Sequence, residues 1–143
     1  MGFSDSVKIA AQSQKSQIND KIVSIAQQLF TAIVVATPVN NNPHADKRGE
    51  LKNNWFVGQG IGNYNSDYSS TFDSEGSQSL SQVATIRGYT GFVNKDDELS
   101  FTNSVPYGYM AEVTGWLPPH WSGNVGPYAM VRNSMIEVVS KIK

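Results

Sequence analysis

Reactive chemistry needs particular side chains at particular spacings, and few sets in this sequence qualify. The two histidines, His44 and His120, are far apart. Metal sites present His at i and i+4, or beside Cys and carboxylates. Asp46 near His44 is a faint metal pattern, but both stand among Asn and Pro, where an exposed loop histidine is the simpler reading. His120, between Pro119 and Trp121, suits packing or partner contact better than catalysis. The absence of Cys removes disulfides, thiolate nucleophiles and Cys-ligated zinc together. Serines are abundant, yet no Gly-x-Ser-x-Gly elbow sets one against a base. Asp96 with Asp97, or Glu98 with Glu112, are candidate carboxylate pairs for glycoside cleavage, although adjacent Asp residues commonly form turns. Gly58-Gln59-Gly60-Ile61-Gly62 lacks the third glycine of a dinucleotide fingerprint, and Asn63-Tyr64-Asn65-Ser66 after it is a poor helix start. No catalytic, cofactor-binding or metal-ligating residue is assigned, and the chain is expected not to be an enzyme.

Composition narrows the classes further. One domain spanning residues 1–143 is expected, long enough for a single core. With 39% hydrophobic and 16% charged residues, the chain is too apolar for wholesale disorder and too polar for a membrane protein. Its longest apolar run, Ala32 to Ala36, falls far below the roughly 18 residues of a membrane span. Residues 1–20 hold no secretory apolar segment, so production in the cytoplasm is expected. A net charge of −1 gives no basic footprint for nucleic acid, which leaves only passive proximity to DNA.

The elements that must position any site follow from periodicity. Ser4-Asp5-Ser6 are N-cap residue types ahead of a stretch without Gly or Pro. In that stretch Ile18, Ile22, Ile25, Leu29 and Ile33 form a helical stripe. Residues 1–14 extend it weakly, as a projecting extension, and Pro38 closes it. Leu51 to Val57 reads as a strand, with Trp55 and Val57 on one face, ended by Gly58, Gly60 and Gly62. Asp73 caps a short helix carrying Leu80, Val83, Ala84 and Arg87. Gly91–Val93 and Glu98–Thr102 read as a hairpin, Pro106–Val113 as a short helix. Val131, Met135, Val138 and Ile142 mark a last helix, entered through Pro127 and carrying a Glu137–Lys141 pair. The fold class is therefore α+β: a long N-terminal helix and a C-terminal helix packed on a small antiparallel sheet, with a short extra helix.

Polar loops and clustered aromatics are the remaining candidates. Asn40–Lys47, with Asn41, Asn42 and His44, is longer than an ordinary connection. Trp116, His120 and Trp121 share a Gly- and Pro-rich loop, and tryptophan is enriched at interface hot spots. Trp116 and Trp121 fit a partner surface and a core cover equally; Tyr107 and Tyr128 fit the core. With Arg48, these residues make the candidate partner interface.

The order of the motifs carries a resemblance. Ala36-Thr37-Pro38-Val39 ends a helix, and Arg48-Gly49-Glu50-Leu51-Lys52-Asn53-Asn54-Trp55 follows after a loop. Then come Phe101-Thr102-Asn103-Ser104-Val105-Pro106-Tyr107, Glu112-Val113-Thr114-Gly115, and Gly126-Pro127-Tyr128-Ala129-Met130-Val131-Arg132. Over residues 15–143 this series resembles the neck and tail-completion (head–tail joining) proteins of long-tailed bacteriophages. It departs from their pattern in a longer loop before Arg48, in having Gly after Arg, and in two residues between Glu112 and Gly115. The resemblance implies a virion structural protein without cofactor, assembled in the host cytoplasm. Its partners would be connector and tail-tube proteins and further copies of itself, in a ring of six or a multiple. It makes Thr37, Pro38, Trp55, Pro106, Tyr107 and Arg132 structural positions; at the start of the last helix Arg132 opposes the helix dipole, so it is expected to be held by a carboxylate or by carbonyls. A tail terminator is the close alternative; a glycan-binding module with aromatic loops is the rival of another class.

Overall fold

The computed structural model describes residues 2–39, 48–59, 72–88, 99–105, 112–113 and 129–142. The elements are α1 (Phe3–Ala36), α2 (Glu50–Asn53), β1 (Trp55–Gln59), α3 (Ser77–Leu80), α4 (Val83–Ile86), β2 (Leu99–Asn103) and α5 (Met130–Ser140). The architecture is the expected mixture: a long N-terminal helix, a C-terminal helix, a two-stranded antiparallel sheet and short extra helices.

α1 runs 34 residues without Gly or Pro, about 50 Å at the helical rise. It starts earlier than its sequence signal. Gly2 is the N-cap, which places Ser4, Asp5 and Ser6 inside the first turn. There Asp5 complements the positive helix end, and the Ser6 hydroxyl donates to the Gly2 carbonyl at 3.3 Å. At the other end Thr37 is extended (φ −71°, ψ 128°), because Pro38 excludes the α region at the residue before it.

The line α1 buries is Val23, Phe30, Ile33 and Val34. Of the expected stripe, Ile18 is exposed, while Ile22, Ile25 and Leu29 are half-buried. The reason is that α1 packs against both α4 and α5, so its apolar arc is wider than a single stripe. α5 is rotated in the same way. Met130, Ser134 and Val138 face inward, whereas Met135 and Ile142 are exposed. The Glu137–Lys141 pair forms at 3.2 Å on its surface.

The middle of the chain departs more. Residues 50–53 form a helical turn instead of opening a strand. Gly49 enters it at φ 87°. Amide side chains then reach back four residues, Asn53 Nδ2 to the Gly49 carbonyl at 3.0 Å and Asn54 Nδ2 to the Glu50 carbonyl at 2.8 Å. Such local bonds compete with an extended ladder. From Trp55 onward the alternation holds, with Trp55 and Val57 buried and Phe56 half-buried. Gly58 lies inside β1; Gly60 and Gly62 fall outside the described residues.

β2 pairs with β1, Trp55 opposite Asn103 and Val57 opposite Phe101. The expected partner, Gly91–Val93, lies outside the described residues, as does most of the expected helix at Pro106–Val113. Phe101 meets Phe30 edge-on, ring centroids 5.0 Å apart, which seats the sheet on α1. The helix expected after Asp73 is two separate turns, because the Gln82 N–H bonds the Ser79 carbonyl, three residues back. Leu80 and Val83 are half-buried, Ala84 and Arg87 are exposed, and Ile86 is fully buried instead. Leu51, Val105 and Met130 complete the core that these elements share.

Gly49 permits the closest approach. A Cβ added there would collide with the Asp73 carbonyl oxygen, and the left-handed φ is costly for any other residue. Gly49→Ala is therefore expected to lose about 2 kcal/mol or more, read as a lower urea midpoint with an unchanged slope.

Candidate functional site

Where polar chemistry concentrates, it surrounds Trp55. β2 pairs with one edge of β1, and helix side chains satisfy the other. The Gln82 side-chain amide acts there as a short length of strand: Nε2 donates to the Trp55 carbonyl at 2.6 Å and Oε1 accepts from the Val57 N–H at 2.8 Å. Ser79 accepts from the Trp55 N–H at 2.9 Å and donates to the Lys52 carbonyl at 2.8 Å. A buried strand edge left unpaired would cost about 1–3 kcal/mol per group, so this arrangement fixes α3 and α4 against β1.

The Trp55 indole reaches the opposite way. Its Nε1–H donates to Thr37 Oγ1 at 2.9 Å, and the Thr37 hydroxyl donates to the Ile33 carbonyl at 2.7 Å. Asn53 joins the α2 turn to the chain before α3: Nδ2 also donates to the Asp73 carbonyl at 2.9 Å, while Oδ1 accepts from the Gln78 N–H at 3.0 Å. Asn103 Nδ2 donates to the Leu51 carbonyl at 2.7 Å. Thr37, Asn53, Asn54 and Ser79 are all buried. Their amides and hydroxyls bind backbone; they are equipped to hold segments together.

Asp73 lies at the rim of this cluster. Its Oδ1 accepts from the N–H groups of Glu75, Gly76 and Ser77. Hydrogen bonding, foremost from the Ser77 side chain and then its backbone, holds the Asp73 carboxyl below its ordinary range against a smaller opposing effect of burial.

The start of α5 holds a second polar arrangement. Ala129 precedes the helix at φ 45°, and its N–H donates to the Glu112 carbonyl at 3.2 Å. The Glu112 carboxylate then accepts from the N–H groups of Val131 at 3.1 Å and Arg132 at 3.2 Å. Glu112 thus caps α5 from a distance, filling orphan donors at a helix N-terminus with a favourable charge. A carboxylate is present where one was expected for Arg132, but it binds that residue's backbone. The Arg132 residue itself is exposed, and what Glu112 binds is its backbone N–H.

The sequence candidates are distributed as follows. Thr37 and Trp55 meet in the cluster, Pro38 is half-buried beside them, and Arg48 is exposed just before α2. Asn41, Asn42, His44, Pro106, Tyr107, Trp116, His120 and Trp121 lie outside the described residues. Among the described residues no group of three His, Asp or Glu side chains is close enough to hold a metal ion. Ser79 and Gln82 carried no sequence signal for their roles, since a Ser or Gln on a polar helix face reads as solvated. Glu112 was marked by its motif, though not as a cap. Comparison of the chain with protein-family models, curated proteins and solved structures finds no match.

Two outcomes are expected. Trp55→Ala should cost roughly 3–5 kcal/mol by removing a core ring, whereas Trp55→Phe should cost about 1–2 kcal/mol, mainly for the lost bond to Thr37. Urea unfolding of both variants separates packing from hydrogen bonding. For Asp73, a folded value below the unfolded one contributes stability that is full above the ordinary aspartate range and lost as pH falls through the folded value. Asp73→Asn should flatten that acid-side decline in a pH series of thermal melts. An unchanged decline would remove the role given to Asp73.

Proposed function

We propose that this chain is a non-enzymatic structural subunit of a tailed-bacteriophage particle, working in a ring at the neck to complete the tail and join it to the head connector. One observation carries the reading. The segments that bear the resemblance are distant in sequence yet hydrogen-bonded in pairs. Thr37 holds Trp55, Asn103 holds Leu51, and Glu112 holds Val131 and Arg132. The motif residues serve as joints of the fold, which suits a protein whose task is shape and contact. No helix among the described residues is long and apolar enough to cross a membrane. In this reading the exposed Arg48 and the preceding Asn41, Asn42 and His44, together with Trp116, His120 and Trp121 of a later loop, meet neighbouring copies or the adjoining connector and tube proteins. Heterologous contacts whose rotation closes give a ring, and the six-fold tail sets six copies or a multiple.

Reconstruction of the virion by electron microscopy tests the proposal. Density for this chain is expected between the head connector and the tail tube in six copies or a multiple. Density at the tube end alone would make it the tail terminator. A three-fold or single-copy arrangement, or absence from the particle, would overturn the reading.

A further inference from the structure

The two edges of the small sheet are treated differently. β1 spends the outward groups of Trp55 and Val57 on Ser79 and Gln82. In an antiparallel ladder each residue sends its N–H and C=O to one side, and the side alternates along the strand. Trp55 and Val57 therefore face away from β2, and Phe56 and Gly58 bond its Thr102 and Ser100. On β2 the alternate residues Leu99, Phe101 and Asn103 then send their N–H and C=O groups outward. Among the described residues no hydrogen bond meets that row.

Nothing guards this edge. Strands kept from pairing carry a charge, a proline or a bulge there. Leu99-Ser100-Phe101-Thr102-Asn103 has no charge and no proline, and its register with β1 runs without a bulge. Each of its five residues is half-buried, so the strand keeps access to solvent. The fold closes the Trp55 edge with two helix side chains and leaves the Phe101 edge as bare backbone.

A row of alternating donors and acceptors selects its occupant. A helix satisfies its backbone internally, and a membrane offers no such alternation; an extended chain matches it. Among the described residues β1 and β2 are the strands, and β1 is occupied on both sides of Trp55 and Val57. Pairing between copies would there be β2 on β2, a two-fold contact that ends at a pair. Side chains set the pattern of the guest. Leu99 and Phe101 pack toward the core, Phe101 against Phe30, whereas Ser100 and Thr102 lie on the opposite face. A strand laid alongside extends the core face with apolar residues and the other face with uncharged polar ones. We propose that the outer edge of β2 is a peptide-docking site, where an extended segment of a different protein, apolar at alternate positions, adds as a third strand. In a neck assembly the segment belongs to an adjoining protein, but the docking does not depend on the neck reading.

Amide hydrogen exchange followed by NMR reads the edge directly. In the isolated chain the Phe101 N–H should exchange far faster than those of Ser100 and Thr102, which are bonded to β1. Slow exchange of Phe101 at low concentration would mean that the chain itself covers the edge, and slowing that grows with concentration would mean a second copy. Either result overturns the assignment. A displayed library of random short peptides, panned on the whole chain, then supplies the probe. The best-enriched peptide should slow Phe101 exchange. Methylating those of its amide nitrogens that face β2 should weaken binding on the order of tenfold or more, while methylating the alternate ones leaves it unchanged. Thr102→Lys, which sets a charge beside the row and leaves the backbone ladder in place, should also weaken it. No enrichment, or binding indifferent to methylation, would overturn the assignment. Absence of the chain from the virion would remove the function proposed above and leave a peptide-binding edge standing.

Discussion

β1 needs partners on both edges, and β2 provides them on only one. The free edge presents the Trp55 carbonyl and the Val57 N–H inside the protein, where water cannot satisfy them. Gln82 closes that gap with a side-chain amide whose donor and acceptor match the strand, and Ser79 takes the Trp55 N–H. Because unpaired buried polar groups are expensive, these contacts hold the two short turns of α3 and α4 in place, although neither turn is long enough to be stable alone. The Trp55 indole then fastens the end of α1 through Thr37. Three layers of the fold converge on one residue.

The buried side chains of this cluster, Thr37, Asn53, Asn54 and Ser79, bind mainly backbone, so the cluster is a framework of the fold. Glu112 shows the same economy at the other end of the chain, where one carboxylate seats α5. α5 is fixed on one side of α1, and residues 2–18 of α1 are exposed.

Much of the fold was legible because long periodic segments and strong breakers act locally. The two terminal helices, the stop at Pro38, the buried face of Trp55 and Val57, and the Glu137–Lys141 pair all follow from spacing and residue type. Facing errors arose at both terminal helices: α1, packed against α4 and α5, turned its Val23–Phe30–Ile33 line inward and left Ile18 outside, and α5 turned Met130 and Ser134 inward in place of Met135. Leu51 read as strand by extension from the strand formers Trp55, Phe56 and Val57; the left-handed Gly49 and the back-bonding Asn53 and Asn54 made it a turn. Most of the proposed partner interface lies in segments outside the described residues; Arg48 lies within them, exposed just before α2.

By itself the sequence determined the fold class, the stop of α1 before Pro38 and the absence of thiol chemistry, since these depend on residues near one another or on composition. Tertiary structure alone decided that β2 pairs with β1, that Gln82 and Ser79 close the sheet edge, and that Glu112 caps α5. Each of those partnerships joins residues about 19 to 48 positions apart. Polar satisfaction in a buried place is a property of what the folded chain brings together, and no local pattern encodes it.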